Sequence, residues 1–574
     1  MDTHPSRLAA PSQPTLARPR AVLLDFGGVV FETSKHPDGR DSMAAWMSTR
    51  LNRAGFDYSP ERLRASLDAG LTALKQWKNA SSRRLEPQEL THREIVTDFL
   101  ASDLPAGPRE LLAASAPELL RTMNTTISGH TVRPGIPELL AWCGENNVQL
   151  GIVSNAHSGA SHRELLAEHG LASHFAVQIY SDEVGIRKPH PGMLQLAADA
   201  LGEPIDECWY VGDTQDRDLV AGRRAGAGAV LITRCHHTDS PPFAVDEVAD
   251  AVLDTPEGLL DLLTDAASDS NSVAATPAPA TSSLPAAATA PVPPTAPASP
   301  TTAPSPSCGR ALLIDHGGVI ATSAPDPQAR AEFLTRLAEL LGTGEQQADL
   351  THAEAVLSAA TEQYSAGKSH RRDLWQRHEA SALGFPVCPT DVLRDVSPRE
   401  FWHIDGADAR TNALLRSESI ALMEAWGLAK SRRTLRPGVR DLFDHCAADG
   451  IPVVVVSNTV SGTGVRANIQ AHGLLDQVRA VLASDEFGVR KPHPSIAAAG
   501  LAIAQSDPTR TWFLGDKPQN DAEAARAAGI THRVLVRGGA SDDAALQAAL
   551  DSGLATDLID VPGDLTRLLD RSGE

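Results

Sequence analysis

AVLLDFGGVV at 21–30 returns as ALLIDHGGVI at 311–320. In each stretch an apolar run ends in an aspartate followed by two glycines. Three further motifs come after it, twice, in the same order. IVSNAHSG around Ser154 matches VVSNTVSG around Ser457, GIRKPHP around Lys188 matches GVRKPHP around Lys491, and YVGDTQDRD with Asp213 and Asp218 matches FLGDKPQND with Asp516 and Asp521. From the serine onward each counterpart lies 303 positions on, but Asp315 follows Asp25 by only 290. The repeat is therefore rigid from its second motif, and 13 extra residues sit between the first and second motifs of the second copy. One chain thus offers two readings of one site.

Working outward, a chain of 574 residues is too long for one core. Residues 266–308 are nearly all Ala, Pro, Ser and Thr, a composition that buries too little apolar surface to offset the entropy of ordering it. Its prolines favour an extended spacer. It is expected as a disordered linker between two globular halves at 21–265 and 309–574, with a disordered tail at 1–20.

Within each half, apolar runs alternate with helical segments. AVLLD (21–25), LGIVS (150–154), CWYVGD (208–213) and AVLI (229–232) read as buried parallel strands. ALLID (311–315), PVVVVS (452–457), TWFLGD (511–516) and HRVLV (532–536) repeat them. This pattern predicts an α/β fold, a doubly wound parallel sheet in each half. Every motif follows a strand, so the motifs converge on the crevice at the strand carboxyl ends. Residues 32–132 and 322–435 show helical periodicity without clear strands. Each is followed by a shared phrase, VRPGIPELL or LRPGVRDLF. Each is expected as an inserted helical cap that closes the crevice and chooses the substrate.

The net charge of −21 argues against a general nucleic-acid or anionic-membrane binder, which needs a basic surface. Only eight lysines are present, and two of them are Lys188 and Lys491. The six cysteines form no CxxC pair, which fits a reducing compartment. Cys235-His236-His237 reads as the polar end of a strand rather than a metal site. No segment has a signal-peptide core or a bilayer-spanning apolar run, so a cytoplasmic location is expected.

Each motif has a bland reading beside a chemical one. Asp25 at a strand end caps a turn, or it is poised for nucleophilic attack or metal ligation. Asp213 and Asp218 punctuate a loop, or with Asp25 they form an all-oxygen site suited to Mg²⁺. Lys188 is a solvated lysine, or it neutralises the aspartate and grips an anion. Ser154 and Asn155 cap a helix, or they offer a hydroxyl and backbone N–H groups to phosphate oxygens. Asp315, Asp516, Asp521, Lys491, Ser457 and Asn458 repeat the set.

Taken together, the order Asp, Ser, Lys, Asp-x₄-Asp, each after a strand, resembles the haloacid dehalogenase-like hydrolase superfamily over both globular halves. The resemblance implies a covalent mechanism in which Asp25 or Asp315 attacks phosphorus and water then hydrolyses the aspartyl-phosphate. It implies Mg²⁺ held by the nucleophile, by the carbonyl of Gly27 or Gly317, and by Asp213 or Asp516. Asp218 and Asp521 would support the metal's waters and the lysine. Ser154, Asn155 and Lys188, or Ser457, Asn458 and Lys491, would bind the phosphoryl oxygens. The expected substrate is a small phosphorylated metabolite.

The chain departs from the resemblance at two places. Phosphatases of the superfamily usually carry a second aspartate two residues after the nucleophile as general acid and base, where this chain has Gly27 and Gly317. That disfavours a mutase and leaves two alternatives to a phosphatase: hydrolysis of another bond, as in dehalogenases, or binding of a phosphorylated ligand without turnover. Lys517 also stands directly after Asp516, where the first copy has Thr214. Either this cation weakens metal binding or its side chain points away.

Overall fold

The computed structural model describes residues 16–270, 309–342, 349–381 and 393–571. The first half contains β1 (Ala21–Leu24), β2 (Phe31–Lys35), β3 (Ser128–Val132), β4 (Gln149–Ser154), β5 (Val177–Tyr180), β6 (Cys208–Gly212), β7 (Ala229–Thr233) and β8 (Ala251–Leu253). The second contains β9 (Ala311–Ile314), β10 (Ala321–Ala324), β11 (Arg432–Leu435), β12 (Val453–Ser457), β13 (Val478–Ala483), β14 (Thr511–Gly515), β15 (His532–Val536) and β16 (Asp557–Ile559).

Each half is built on a six-stranded sheet, ordered β5-β4-β1-β6-β7-β8 and β13-β12-β9-β14-β15-β16. All of their pairings are parallel. The chain order reverses beside the first strand of each half, so the crevice opens at the ends of β1, β4 and β6, and of β9, β12 and β14. The sheets are covered on both faces, which is why β1 reads as an unbroken apolar run with every residue at 0% exposure. Truncating one such residue, as in Leu23→Ala, removes about 2–5 kcal/mol.

Residues 32–132 and 322–435 do form helical insertions, but each begins and ends in strand. β2 pairs with β3 and β10 with β11, both antiparallel, making a two-stranded stalk. FETSK and ATSA are too short and polar to register as strand runs, and only their first residues are buried. β5, β8, β13 and β16 also escaped the sequence pattern, being short or partly exposed. In the first cap, the helix Gly39–Arg53 packs Met43, Met47 and Leu51 against Leu63, Leu67 and Leu74 of the helix Pro60–Ser81. Ser59 starts the second of these helices by accepting the Arg62 N–H, with Pro60 in the first turn.

Two expected boundaries move. Residues 16–20 pack on the first half rather than trailing as tail: the Trp209 indole donates to Ala17 O at 3.1 Å and Arg18 donates to Asn146 O at 2.8 Å. The helix Glu257–Ser270 carries ordered chain into the expected linker, and Ala266 is 4% exposed in the core. Residues 1–15 and 271–308 lie outside the described residues.

The halves are not beads on a string. The cap helix Ala106–Ala113 packs on Pro494–Ala504 of the other half, and its repeat mate Ala409–Ser417 packs on Gly192–Leu201. Gly107 permits the first crossing, because a Cβ there would lie 2.7 Å from Ala502 O. First-cap residues such as Met47, Leu112 and Leu120 share one apolar cluster with Leu313, Val454 and Ile496 of the second sheet layer. Arg163 ties Glu183 of its own half to Glu418 of the other cap, both at 2.8 Å. Clefts of about 720 and 520 Å³ lie along this interface and are not lined by Asp25 or Asp315. Among the described residues no helix is long and apolar enough to cross a membrane.

Candidate active site

The chain leaves β1 at Leu24, so Asp25 is the first residue beyond the strand. It is 8% exposed. Gly28 then turns with φ +79°, and a Cβ there would lie 2.3 Å from Asp213 Oδ2. Gly318 repeats this with φ +88° and 2.0 Å from Asp516 Oδ2. Only glycine allows both the backbone and the close approach.

The shared phrase after each cap holds this turn in place. Arg133 donates to Gly28 O and, at 2.8 Å, to Arg234 O just past β7. Arg436 bonds Gly318 O and Arg537 O in the same way. The sequence flagged VRPG and LRPG as a repeat, but the role of the arginine was not legible.

Lys188 reaches the centre buried. Its Nζ lies 2.9 Å from Asp25 Oδ1, 2.6 Å from Asp218 Oδ1, and 2.9 Å from both Val153 O and Tyr210 OH. The Asn155 side chain sets this position: its Oδ1 accepts the Lys188 N–H at 2.7 Å and its Nδ2 donates to Lys188 O at 3.1 Å. Asn458 holds Lys491 with the same pair of bonds, at 2.8 and 2.9 Å. The asparagine side-chain amides are thus engaged with the lysine loops, while the phosphate contact expected of Asn155 and Asn458 is through backbone N–H groups. Ser154 and Ser457 end β4 and β12, each 3% exposed, where the lysine and aspartate converge.

Asp218 is equally committed. Its Oδ1 accepts Tyr210 OH at 2.7 Å besides Lys188, and its Oδ2 accepts Thr214 N at 2.9 Å, Asp213 N at 3.3 Å and the Thr214 hydroxyl. A π-helical turn at Gln215–Leu219 presents it. Carboxylate oxygens of Asp25, Asp213 and Asp218 lie within 4.8 Å of one another, and protein donors already bond both oxygens of Asp218. Burial raises its carboxyl, but Lys188, Arg217 and the hydrogen bonds outweigh burial and hold it well below the usual carboxylate range. Burial pushes the Lys188 ammonium down, and the charges of Asp218 and Asp25 more than offset this, leaving it raised.

Asp213 is different. It is 7% exposed, and its carboxylate has no donor among the described residues. Burial, then the charges of Asp218 and Asp25, push it well above its ordinary value. Such a carboxylate beside Asp25 could help to hold a cation. The donor set of Asp25, the Gly27 carbonyl and Asp213 is all oxygen, which suits Mg²⁺.

The second centre keeps the frame and changes its contents. Lys491 Nζ lies 2.8 Å from Asp315 Oδ1 and 2.6 Å from Asp521 Oδ1. Phe513 replaces Tyr210, removing the hydroxyl. His316 replaces Phe26 and bonds Arg433 at 2.7 Å and Asn468 at 2.9 Å. Lys517 points inward, its Nζ 2.7 Å from Asp516 Oδ1, 3.4 Å from Gly317 O and 3.8 Å from Asp315 Oδ2. This donor set does not fit a divalent ion while the ammonium stands in it.

The caps are latched over the centres. Glu89 bonds Arg187 at 2.8 Å and Ser181 at 2.6 Å, and Ser82 donates to Asp216 at 2.8 Å. Asp395 pairs with Arg490 at 3.0 Å in the second half. Lys78 descends from the first cap to 3.4 Å from His157 Nε2, three residues past Ser154, with no carboxylate in ion-pair contact among the described residues. Burial, then Arg187 and Arg217, pull its ammonium down to about 8. No sequence pattern marks Lys78, because the cap helices carry no motif. Cys235, His236 and His237 follow β7 as expected of a strand end, and Thr238 bonds Asp213 O at 2.6 Å.

Residues 19–226 and 310–529 each match the haloacid dehalogenase-like hydrolase family. The chain belongs to this family. The glyceraldehyde 3-phosphate phosphatase of Methanopyrus kandleri is 27% identical over 252 residues, 44% of this chain and 99% of that protein. A phosphoglycolate phosphatase of Nitrosococcus oceani is 26% identical over 242 residues, 42% of this chain and 96% of that protein. Among solved structures, a 2-haloacid dehalogenase from Pseudomonas syringae is 17% identical, with 46% of this chain and 99% of that chain covered and a TM-score of 0.30. Each of these two phosphatases spans less than half of this hydrolase and nearly all of itself, as two units in tandem require.

Proposed function

We propose that the chain is a phosphatase of small phosphorylated metabolites, with its working centre at Asp25. The observation that carries this reading is the pair Asp25–Lys188 beside Asp213, a buried carboxylate left for a cation. The phosphatase names of the relatives support it. A divalent ion held by Asp25, the Gly27 carbonyl and Asp213 supplies charge neutralisation for a phosphate dianion.

The protein groups then act as follows. Lys188 and the Phe26 N–H, at 2.9 and 2.8 Å, both converge on Asp25 Oδ1, which leaves Oδ2 to attack phosphorus. The Oδ2–P bond forms as the bond from phosphorus to the leaving oxygen breaks. Water attacks phosphorus in turn, freeing phosphate and restoring Asp25. Lys188 neutralises the aspartate, while Tyr210, Asp218 and Asn155 fix its position. With Gly27 in the second position, no side chain there protonates the leaving oxygen. The ammonium of Lys78, placed by the cap near His157, favours substrates with a second anionic group, such as the carboxylate of phosphoglycolate.

The second centre supports a second reading for its half alone. Lys517 closes the cluster of Asp315, Gly317 and Asp516, which favours a phosphoryl-ligand-binding unit with little turnover. The test is phosphate release by the full chain across a set of phosphorylated metabolites, with Mg²⁺ or with chelator. Mg²⁺-dependent release that Asp25→Asn abolishes and Asp315→Asn spares is expected. Release insensitive to Asp25→Asn overturns the assignment.

A further inference from the structure

Thr214 and Lys517 occupy equivalent positions, directly after Asp213 and Asp516, and they treat that aspartate in opposite ways. The Thr214 hydroxyl turns back to Asp218, and Asp213 receives no donor among the described residues. The Lys517 ammonium instead lies 2.7 Å from Asp516 Oδ1, 3.4 Å from Gly317 O and 3.8 Å from Asp315 Oδ2. These three oxygens are the repeat counterparts of the Asp25, Gly27 and Asp213 donors.

The charge around the two centres follows the same contrast. Asp25, Asp213 and Asp218 face one buried ammonium, Lys188, and the neighbouring Arg217 lies 3.6 Å from Asp216. Asp315, Asp516 and Asp521 face the buried Lys491 and a second, partly exposed ammonium, Lys517. Gln519 and Asn520 stand where the first half has Asp216 and Arg217, so no further charge enters. The Asp516 Oδ2 is also taken, by the Ala540 N–H at 2.6 Å. A Mg²⁺ ion needs oxygens at about 2.0–2.1 Å in a near-octahedral shell and cannot share its centre with an ammonium.

We propose that Lys517 is a tethered cation standing in for the divalent ion of the C-terminal half, so that this half is metal-independent and the chain binds one divalent ion, in the N-terminal half. The count of one rests on the phosphatase reading of the first centre; the exclusion by Lys517 does not.

The test is Mn²⁺ binding to the full-length chain, with Mn²⁺ alone as probe, counted from the loss of the free-ion electron paramagnetic resonance signal. One site is expected in the unmodified chain, none in Asp213→Asn, two in Lys517→Thr and one in the double variant. Two sites in the unmodified chain, which needs no variant to fold, overturn the proposal. So does a double variant that, folded by circular dichroism, gains no site over Asp213→Asn. An unmodified chain without Mn²⁺ overturns instead the cation reading of the first centre, and the gain on Lys517→Thr still decides the role of Lys517.

Discussion

Lys517 lies 2.7 Å from Asp516, whereas Thr214 turns to Asp218 and leaves the equivalent Asp213 without a donor among the described residues. Two centres with one backbone frame thereby acquire different cation requirements, through a single side chain. Their difference, together with Tyr210 against Phe513 and Phe26 against His316, makes the repeat a pair of diverged sites rather than a doubled one.

The absence of a carboxyl at position 27 sets the leaving-group dependence. A positioned general acid is worth about 10²–10⁴-fold. Aryl phosphates, whose leaving oxygens carry negative charge well, are expected to phosphorylate the enzyme much faster than alkyl phosphates in single-turnover experiments. A Cβ built on Gly27 meets nothing within 4 Å and its φ is not positive, so Gly27→Asp is tolerated locally. That variant should flatten the series. A flat series in the unmodified chain means that another group donates the proton.

Lys78 should act on substrate choice. With its ammonium drawn down to about 8, it is charged at neutral pH and loses its proton as pH rises past that value. KM for phosphoglycolate is expected to rise above pH 8, by roughly tenfold if one ion-pair-sized contact of ~1.4 kcal/mol is lost. Lys78→Met should bring that higher KM to neutral pH with little change in kcat, and leave a plain alkyl phosphate unaffected. An equal effect on both substrates means that Lys78 only supports the cap.

His162 should tune acid stability. Its ring stacks on Phe26 with centroids 4.0 Å apart, and its Nδ1 is buried without a partner among the described residues. Burial lowers its pKa to about 3, from an ordinary value of 6.5. The folded state therefore binds fewer protons than the unfolded state in that window, and stability is lost as pH falls from 6.5 towards 3, by up to ~1.4 kcal/mol per pH unit. Urea unfolding of His162→Leu between pH 7 and 4 should show a shallower decline than the unmodified chain. Parallel declines contradict this origin.

The interlocked caps predict that the halves stay together when the connection is cut. A protease site inserted between 285 and 286 and cleaved should leave both fragments co-eluting on gel filtration. The Ala106–Ala113 and Pro494–Ala504 pair and the Ala409–Ser417 and Gly192–Leu201 pair would hold them. Separation into two folded monomers would show that the shared apolar clusters do not bind the halves.

Much of this was legible in the sequence, for identifiable reasons. Buried parallel strands such as β1 and β9 read as apolar runs because both faces are covered. The motif aspartates and serines follow those strands directly, so topology brings Asp25, Ser154 and Asp213 together, whereas Lys188 comes after β5 and the short helix Ser181–Val184 rather than directly after a strand. What was not legible depends on side chains meeting across long separations. Nothing in VRPG says that Arg133 returns to Gly28 O, and nothing in the Asn155 motif says that its amide serves Lys188. The reciprocal caps were hidden because the apolar face of a cap helix looks the same whether it covers its own half or the other. The direction of Lys517, left open by its position, is settled by its contacts with Asp516 and Gly317.

The most direct test of the central claim is the covalent step at Asp25. The full chain is mixed with phosphorus-labelled aryl phosphate in the presence of Mg²⁺ and quenched in acid within a single turnover, and protein-bound label is measured. The account predicts acid-stable label on the peptide containing Asp25, absent in Asp25→Asn and retained in Asp315→Asn. Rapid phosphate release with no label on the protein at any time, or label that persists in Asp25→Asn, would contradict it.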